Sequence, residues 1–114
     1  MSVKLNTRHV GDVTVIDVSG RITLGEGSSA IFDEVRNLTA GGNKKILLNL
    51  GEVPYIDSSG IGELVAGFTS AAKAGGTMKL LNPTKRVKDL LRMTNLNTIF
   101  EVYEDEAHAA RSFE

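Results

Sequence analysis

Hydrophobic positions along the chain switch between a strand-like pattern and a helix-like pattern. Short segments rich in β-branched or uninterrupted apolar residues, bounded by turn residues, predict five strands. The predicted strands span residues 3–9, 13–19, 45–50, 78–81 and 99–103. Longer segments with apolar residues three or four positions apart predict four helices. The predicted helices span residues 28–40, 61–72, 82–94 and 105–112.

The order of these elements is β-β-α-β-α-β-α-β-α, and strands that alternate with helices indicate an α/β fold with a parallel or mixed sheet. Segment 45–50, K-I-L-L-N-L, is almost continuously apolar, as in a strand that is buried on both faces. We therefore expect this segment at the centre of the sheet. We also expect Ile46, Leu48 and Phe68 to be buried together between this strand and the second helix.

Glycine pairs and an Asn-Pro pair predict where the helices end and begin. Gly41-Gly42 and Gly75-Gly76 follow the first and second helices, as left-handed C-caps do. Asn82-Pro83 predicts the start of the third helix, with Asn as N-cap and Pro at the first helical position. The inner faces are predicted to carry Ile31, Val35 and Leu38 in the first helix, Ile61, Leu64, Val65, Phe68 and Ala72 in the second, and Val87, Leu90, Leu91 and Thr94 in the third.

Composition narrows the class of protein. A chain of 114 residues with 41% hydrophobic and 24% charged residues can build its own core, so we expect residues 1–114 to form a single domain. The absence of Cys excludes disulfides and zinc–thiolate sites. The formal net charge of −1 argues against direct nucleic-acid binding. The sequence shows neither an apolar run of about 20 residues nor a secretory signal, which predicts a small cytoplasmic protein with no membrane association.

The segment best suited to carry chemistry lies between the central strand and the second helix. Here Asp57-Ser58-Ser59-Gly60 stands where the loop becomes a helix. In one interpretation, a serine caps the helix and Asp57 offsets its positive end. Three features favour a function instead. Capping needs one serine, and there are two. Gly60 and Gly62 each cost a helix about 1 kcal/mol but leave room for a partner's backbone. The loop also follows the carboxyl end of a central strand, where α/β sheets place their sites.

With its surroundings, this segment resembles the STAS domains of bacterial anti-sigma factor antagonists, and the resemblance covers essentially the whole chain. It is carried by Ile46-Leu47-Leu48-Asn49-Leu50, Tyr55-Ile56-Asp57-Ser58-Ser59-Gly60-Ile61-Gly62, Gly75-Gly76 before Met78-Lys79-Leu80, Val87-Lys88-Asp89-Leu90-Leu91, and Leu96. The resemblance implies the STAS fold, a mixed sheet of about four to five strands with about four helices.

The resemblance also implies a phosphorylation switch. Ser58 matches the phosphoacceptor of the family, whose kinase is the anti-sigma factor itself, an ATP-binding serine kinase. The unphosphorylated chain would bind that factor and release a sigma factor, phosphorylation would prevent binding, and a PP2C-type, metal-dependent phosphatase would reset the chain. The chain would thus be a substrate and a binding module with no catalytic residue, no cofactor and no metal.

The switch region implied by the resemblance surrounds Ser58. Its other members are Asp57, Ser59, Gly60, Ile61 and Gly62. Asp57 would orient the Ser58 hydroxyl or help the kinase to engage it. Ser59 would cap the helix, and the two glycines would allow a partner to approach closely.

One stretch departs from the pattern of the family. Thr23 stands where an Asp is common, and a glycine-rich loop follows it, so partner contacts by this loop are not implied. Gly25-Glu26-Gly27 before Ser28-Ser29 resembles a phosphate cradle but lacks the G-K-[ST] ending of a P-loop, which favours a flexible loop with a serine cap. His9 and His108 have no neighbours at metal-ligand spacing and are predicted to be surface residues.

Two charged surfaces allow more than one interpretation. The third helix carries a basic face, either solvated or in contact with an acidic patch on a partner, formed by Lys85, Arg86, Lys88 and Arg92. An acidic cluster is predicted to serve solubility and the start of the last helix; it comprises Glu101, Glu104, Asp105 and Glu106.

Two rival functions stay open. One is a STAS scaffold or transporter-associated module that is never phosphorylated. The other is an enzyme or nucleotide-binding protein, which the missing catalytic base, P-loop and G-x-S-x-G elbow disfavour.

Overall fold

The computed structural model describes residues 3–23 and 29–114. Five strands form one sheet in the order β1-β2-β3-β4-β5. The strands are β1 (Lys4–Val10), β2 (Val13–Ser19), β3 (Lys45–Glu52), β4 (Thr77–Leu81) and β5 (Val102–Tyr103). β1 is antiparallel to β2, and every other neighbouring pair is parallel. The predicted mixed α/β sheet is confirmed, and its central strand is the apolar segment that begins at Lys45.

The helices follow the predicted order. They are α1 (Ala30–Ala40), α2 (Ser58–Lys73), α3 (Lys85–Met93) and α4 (Glu106–Arg111). A short 3-10 turn, Leu96–Thr98, lies between α3 and β5 and takes up part of the segment before the last strand. β5 is shorter than the predicted strand, and its Val102 and Tyr103 lie opposite Leu80 and Leu81 of β4. Neither described stretch contains a helix with the length and apolarity that crossing a bilayer requires.

The two faces of the sheet bury separate apolar clusters, because successive side chains of a strand point to opposite faces. One cluster packs the sheet against α1, α2 and α3, and includes the fully buried Ile16, Ile46 and Leu48. The other packs the opposite face against Ala109 of α4; its strand residues are Val13, Val15, Leu47 and Leu81.

Two sets of contacts from charged side chains hold α4 against this second face. The Arg8 cluster consists of Arg8, Asp17 and Glu106: the guanidinium lies 2.6 Å from the Asp17 carboxylate and 2.5 Å from that of Glu106. Hydrogen bonds from Arg8 lower the pKa of both carboxyls. The buried Lys79 donates to the carbonyl and hydroxyl oxygens of Ser112, each at 3.0 Å. Both contacts hold the last helix against the sheet.

The third helix does not begin at the predicted Asn-Pro pair. Asn82 has a left-handed backbone with a φ of 54°. Its N–H donates to the Tyr103 carbonyl at 2.6 Å, which extends the pairing of β4 with β5. The helix begins at Lys85 with Thr84 as N-cap residue, and the Thr84 hydroxyl donates to the Val53 carbonyl at 2.8 Å. Asn82, which the local pattern predicted to begin the helix, is thus part of the sheet pairing instead.

Most of the predicted inner faces are buried, with two corrections at helix ends. Buried as predicted are Ile31, Val35, Ile61, Leu64, Val87 and Leu91. Half-buried against the core are Leu38, Val65, Phe68 and Leu90. The prediction was wrong for Ala72 and Thr94, which are exposed. Phe68 was expected to be buried with Ile46, but it lies at the margin, with its ring edge-on to Phe100 at 5.2 Å.

Candidate functional site

A two-residue bridge fixes the loop that leads into α2. Ile22, just after β2, pairs in parallel with Ile56, just before α2. The Ile22 N–H donates to the Tyr55 carbonyl at 3.1 Å, and the Asp57 N–H donates to the Ile22 carbonyl at 3.3 Å. Because Ile22 and Ile56 are also fully buried, the start of α2 is held by both backbone and core.

Asp57 caps α2. Its backbone is extended, and its carboxylate accepts a hydrogen bond from the Gly60 N–H at 2.9 Å. This bond satisfies one of the N–H groups that a helix leaves unpaired in its first turn. The expectation that Ser59 caps the helix was therefore wrong, because the aspartate occupies that position. The described residues also show no hydrogen bond between the Asp57 carboxylate and the Ser58 hydroxyl, so the expected orienting contact is not formed.

Ser58 and Ser59 are the first two residues of α2, and both are exposed. One turn after Ser58, Gly62 is also exposed, and a Cβ built there would have no other atom within 4 Å. Residues four apart lie on the same side of a helix, so the Ser58 hydroxyl and the bare backbone of Gly62 share one surface. We call this surface, Ser58 with Gly62, the helix-start surface.

Gly60 has a different role from the one expected. It is buried, and a Cβ there would lie 2.5 Å from Cγ1 of Ile56 and would overlap the Ile22 carbonyl oxygen. The residue is small because the bridge residues pack against it, and it is not a point of access for a partner. Of the two glycines predicted to allow close approach, only Gly62 is open to solvent. Ile61 is likewise buried and belongs to the core.

Glu63 is a further residue of this region, and its role was not predicted from the sequence. It is buried, and its carboxylate accepts a hydrogen bond from the Phe32 N–H in the first turn of α1 at 2.9 Å. Burial raises the pKa of Glu63, an effect that the backbone hydrogen bond opposes. The side chain thus ties the beginning of α1 to the first turns of α2. A glutamate between Ile61 and Leu64 on the inward side of the helix was the available signal.

Two arginines stack on a tyrosine close to this helix start. The guanidinium carbons of Arg21 and Arg86 each lie 4.7 Å from the centre of the Tyr55 ring. Arg21 directly precedes the bridge residue Ile22, and Arg86 lies in the first turn of α3. Arg86 was predicted to lie on a basic face, but its aromatic partner was not predicted, because the contact joins residues far apart in the chain. We call Arg21, Tyr55 and Arg86 the arginine–tyrosine stack.

The remaining charged candidates are involved in local contacts. On α3, Lys85 and Arg92 pair with Asp89 at 3.0 and 3.7 Å, and Lys88 pairs with Glu104 at 2.8 Å. In the acidic cluster, Asp105 accepts from the His108 N–H at 2.8 Å, and Glu106 joins Arg8. Glu101 lies 3.2 Å from Lys79 and accepts a hydrogen bond from the Tyr103 hydroxyl at 2.7 Å.

The other candidates from the sequence contribute no chemistry to the helix-start surface. His9 and His108 are exposed, as predicted. Within residues 3–23 and 29–114, no group of three or more acidic or histidine side chains is placed to hold a metal ion. Thr23 is half-buried. The predicted phosphate cradle at 25–29 falls almost entirely outside the described residues.

Known proteins resemble this chain in both sequence and structure. A model of the STAS domain family matches residues 4–109. A Thermotoga neapolitana protein assigned to the anti-sigma factor antagonists is 38% identical over 79 residues, which are 69% of this chain and 67% of that protein. A crystal structure assigned to the same class, from Thermotoga maritima, superposes with a TM-score of 0.86 at 26% identity, over 96% of this chain and 93% of that one.

A Bacillus cell fate determinant, solved in a phosphorylated form, shares the fold. It superposes with a TM-score of 0.74 at 18% identity, over 97% of this chain and all of that one (100%). The resemblance drawn from the sequence, and the fold it implied, are confirmed.

Proposed function

This chain belongs to the STAS domain family, and on that premise we propose that it is an anti-sigma factor antagonist whose binding is switched off by phosphorylation of Ser58. The unphosphorylated chain binds an anti-sigma factor in the cytoplasm and so releases a sigma factor. The anti-sigma factor is an ATP-binding serine kinase that phosphorylates Ser58. A PP2C-type phosphatase removes the phosphate. The chain itself catalyses no step.

The observation that carries this proposal is that Ser58 is an exposed residue at the first position of a capped helix. A kinase can reach this residue without opening the fold. The hydroxyl is not used for capping, because Asp57 already accepts the Gly60 N–H. The positive end of α2 favours negative charge, so the fold can carry a phosphate at this position.

Phosphorylation would block binding through charge and size. A phosphate adds about −1.5 to −2 charges at neutral pH. A partner that packs on the helix-start surface meets the bare backbone of Gly62 one turn away, so a phosphate on Ser58 would lie within the interface. Burying an unpaired charge or opposing like charges in an interface costs several kcal/mol. A loss of about 2.7 kcal/mol already weakens binding 100-fold.

The test has a binding arm and a modification arm. In the binding arm, the wild-type chain and the variants Ser58→Ala, Ser58→Asp and Ser59→Ala are used to capture partners from a lysate of the source organism, and mass spectrometry identifies the captured proteins. We expect an ATP-binding serine kinase with wild type, with Ser58→Ala and with the control Ser59→Ala, and little or none with Ser58→Asp.

In the modification arm, the captured kinase and ATP are incubated with each variant, and the phosphorylated residue is mapped by mass spectrometry. We expect phosphate on Ser58 in wild type and in Ser59→Ala, and none in Ser58→Ala. Phosphate on Ser59 alone would move the site by one residue. Phosphate on neither serine would refute the switch and favour a STAS scaffold or a transporter-associated module.

A further inference from the structure

The arginine–tyrosine stack is assembled from three separate parts of the chain. Arg21 follows β2, Tyr55 precedes α2, and Arg86 belongs to α3. Both guanidinium carbons lie 4.7 Å from the centre of one ring, so the two cations are no farther apart than twice that distance. Two positive charges within about one Debye length of each other reinforce a single positive potential.

The fold holds the stack in place. The backbone of Tyr55 is fixed by its hydrogen bond from the Ile22 N–H, and Arg21 is the residue directly before Ile22. Arg86 lies beside the buried Val87 of α3. A guanidinium stacked on an aromatic face keeps its N–H groups at the edge of its plane, where they can form paired hydrogen bonds with a carboxylate. The stack therefore places two guanidinium groups over one ring, where their N–H groups are open to a carboxylate.

Within the described part of the chain, neither arginine of the stack forms a salt bridge. Three neighbours of Arg86 on α3, namely Lys85, Lys88 and Arg92, each pair with a carboxylate. Across residues 3–23 and 29–114, no carboxylate forms a salt bridge with Arg21 or Arg86, and both side chains are exposed. The other three basic residues of α3 thus share two carboxylates, those of Asp89 and Glu104. Arg86 makes no such contact, and its charge acts on Asp89 only through space, where it contributes to lowering the pKa of that carboxyl.

We propose that Arg21 and Arg86, held on Tyr55, form a docking point for a carboxylate-rich segment of a partner protein. Two forked donors on one rigid ring match the planar, two-oxygen geometry of Asp and Glu side chains. Tyr55 is three residues from Ser58, and a chain of that length spans at most about 11 Å. A partner seated on the helix-start surface would therefore reach the stack. The docking point does not depend on whether Ser58 is phosphorylated.

The test uses hexaglutamate as the probe, so it can fail or succeed independently of the proposed switch. Arginine side-chain Nε–Hε signals of the ¹⁵N-labelled protein are followed by NMR as the peptide is added. We expect the signals of Arg21 and Arg86 to move together with one dissociation constant. The variants are Arg21→Gln, Arg86→Gln and the two combined, each compared with Arg92→Gln, an exposed arginine of the same helix.

We expect each single variant to bind hexaglutamate about three-fold more weakly and the double variant about ten-fold more weakly, as for exposed ion pairs. The control Arg92→Gln should change the affinity by less than about two-fold. Tyr55→Leu, which keeps both charges but removes the ring, should weaken binding about as much as a single arginine variant, because the donors are no longer held in place. The melting temperature of each variant verifies that it is folded.

Two results would overturn the proposal. In the first, all exposed arginines respond alike and Arg92→Gln weakens binding as much as Arg86→Gln, which would reduce the effect to general charge. In the second, hexaglutamate moves neither arginine signal, whereas the Ser58→Asp substitution moves both. That outcome would show that the arginines respond to a negative charge at position 58 of this chain and do not bind a partner's carboxylates.

Discussion

Alanine should have opposite effects at Gly60 and Gly62, the two glycines near the start of α2. Gly60→Ala is expected to destabilise the fold, and Gly62→Ala is expected to stabilise it. The two positions are half a turn apart in one helix, have the same local chemistry and differ in what surrounds them. At Gly60 a Cβ would lie 2.5 Å from Cγ1 of Ile56 and would overlap a backbone oxygen, whereas at Gly62 it would meet nothing within 4 Å.

The magnitudes follow from these surroundings. Alanine in a helix interior gains about 0.5–1 kcal/mol over glycine, and at Gly62 nothing opposes this gain. At Gly60 the same gain is opposed by overpacking, which costs about 1–3 kcal/mol and sometimes more. The cost at Gly60 belongs to the upper part of that range, because the Ile22 carbonyl is fixed by its hydrogen bond from Asp57 and cannot turn away. We therefore expect Gly60→Ala to lose about 2 kcal/mol and Gly62→Ala to gain about 0.5 kcal/mol.

Urea unfolding followed by circular dichroism measures both free energies of unfolding. For a chain of this size, 1 kcal/mol corresponds to about 4 °C in melting temperature, so the two variants should differ by about 10 °C. The slope of the unfolding free energy against urea should be the same for both, which would show that only stability has changed. If Gly60→Ala were as stable as Gly62→Ala, the packing of the Ile22–Ile56 bridge against α2 would be wrong.

Three further predictions concern ionic side chains. The pKa values of Asp17 and Glu106 are lowered by Arg8, so the stability they contribute is present above the ordinary carboxyl pKa and is lost as the pH falls through the lowered values. Arg8→Met should therefore lower the free energy of unfolding by up to about 1 kcal/mol at neutral pH, because these side chains are about one-third exposed. Below both carboxyl pKa values the substitution should have little effect, which urea unfolding at several pH values measures. Glu63→Ala leaves the half-buried Phe32 N–H of α1 without its acceptor and should cost about 1 kcal/mol, whereas Glu63→Gln keeps an acceptor oxygen and should recover most of the loss. Because burial raises the pKa of Glu63, the Gln variant should gain stability relative to wild type as the pH rises through that value, which the same melts measure. Lys79→Met should speed amide hydrogen exchange in α4 and leave β3 unchanged; equal protection in α4 would show that the ammonium does not hold that helix.

The sequence predicted the elements that depend on periodicity. The continuous apolar run from Lys45 to Leu50 is the central strand, and residues 46–48 are fully buried. The order of strands and helices is confirmed for the same reason, because burial on one or both faces leaves a period that one sequence can reveal. The predicted start of the third helix was two residues too early, because the Asn82 N–H donates to the carbonyl of Tyr103 in β5, which lies far along the chain.

The roles of the two glycines at the start of α2 follow from the same periodicity, extended towards the beginning of the helix. Leu64 and Ala71 are buried in the helix, and Gly60 lies four residues before Leu64 on that inward face. Its burial could therefore have been predicted, as could the exposure of Gly62 between the inward positions. The atom that a side chain at position 60 would overlap could not be predicted. It is the Ile22 carbonyl oxygen, which lies there because a bridge joins two loops that are far apart in the chain. The arginine–tyrosine stack escaped prediction for the same reason.

The division of roles between Asp57 and Ser58 explains how one helix end can serve both stability and a switch. A serine that capped the helix would use its oxygen to accept a backbone N–H, and adding a phosphate there would disturb that bond. Here the carboxylate of Asp57 makes the capping bond, and the Ser58 oxygen lies one residue further along, outside the cap. Under the proposed function, phosphorylation therefore removes no hydrogen bond that supports α2 and places its charge at the helix end that tolerates it best. The modification then acts on the surface that a partner contacts, and the fold that presents this surface stays the same.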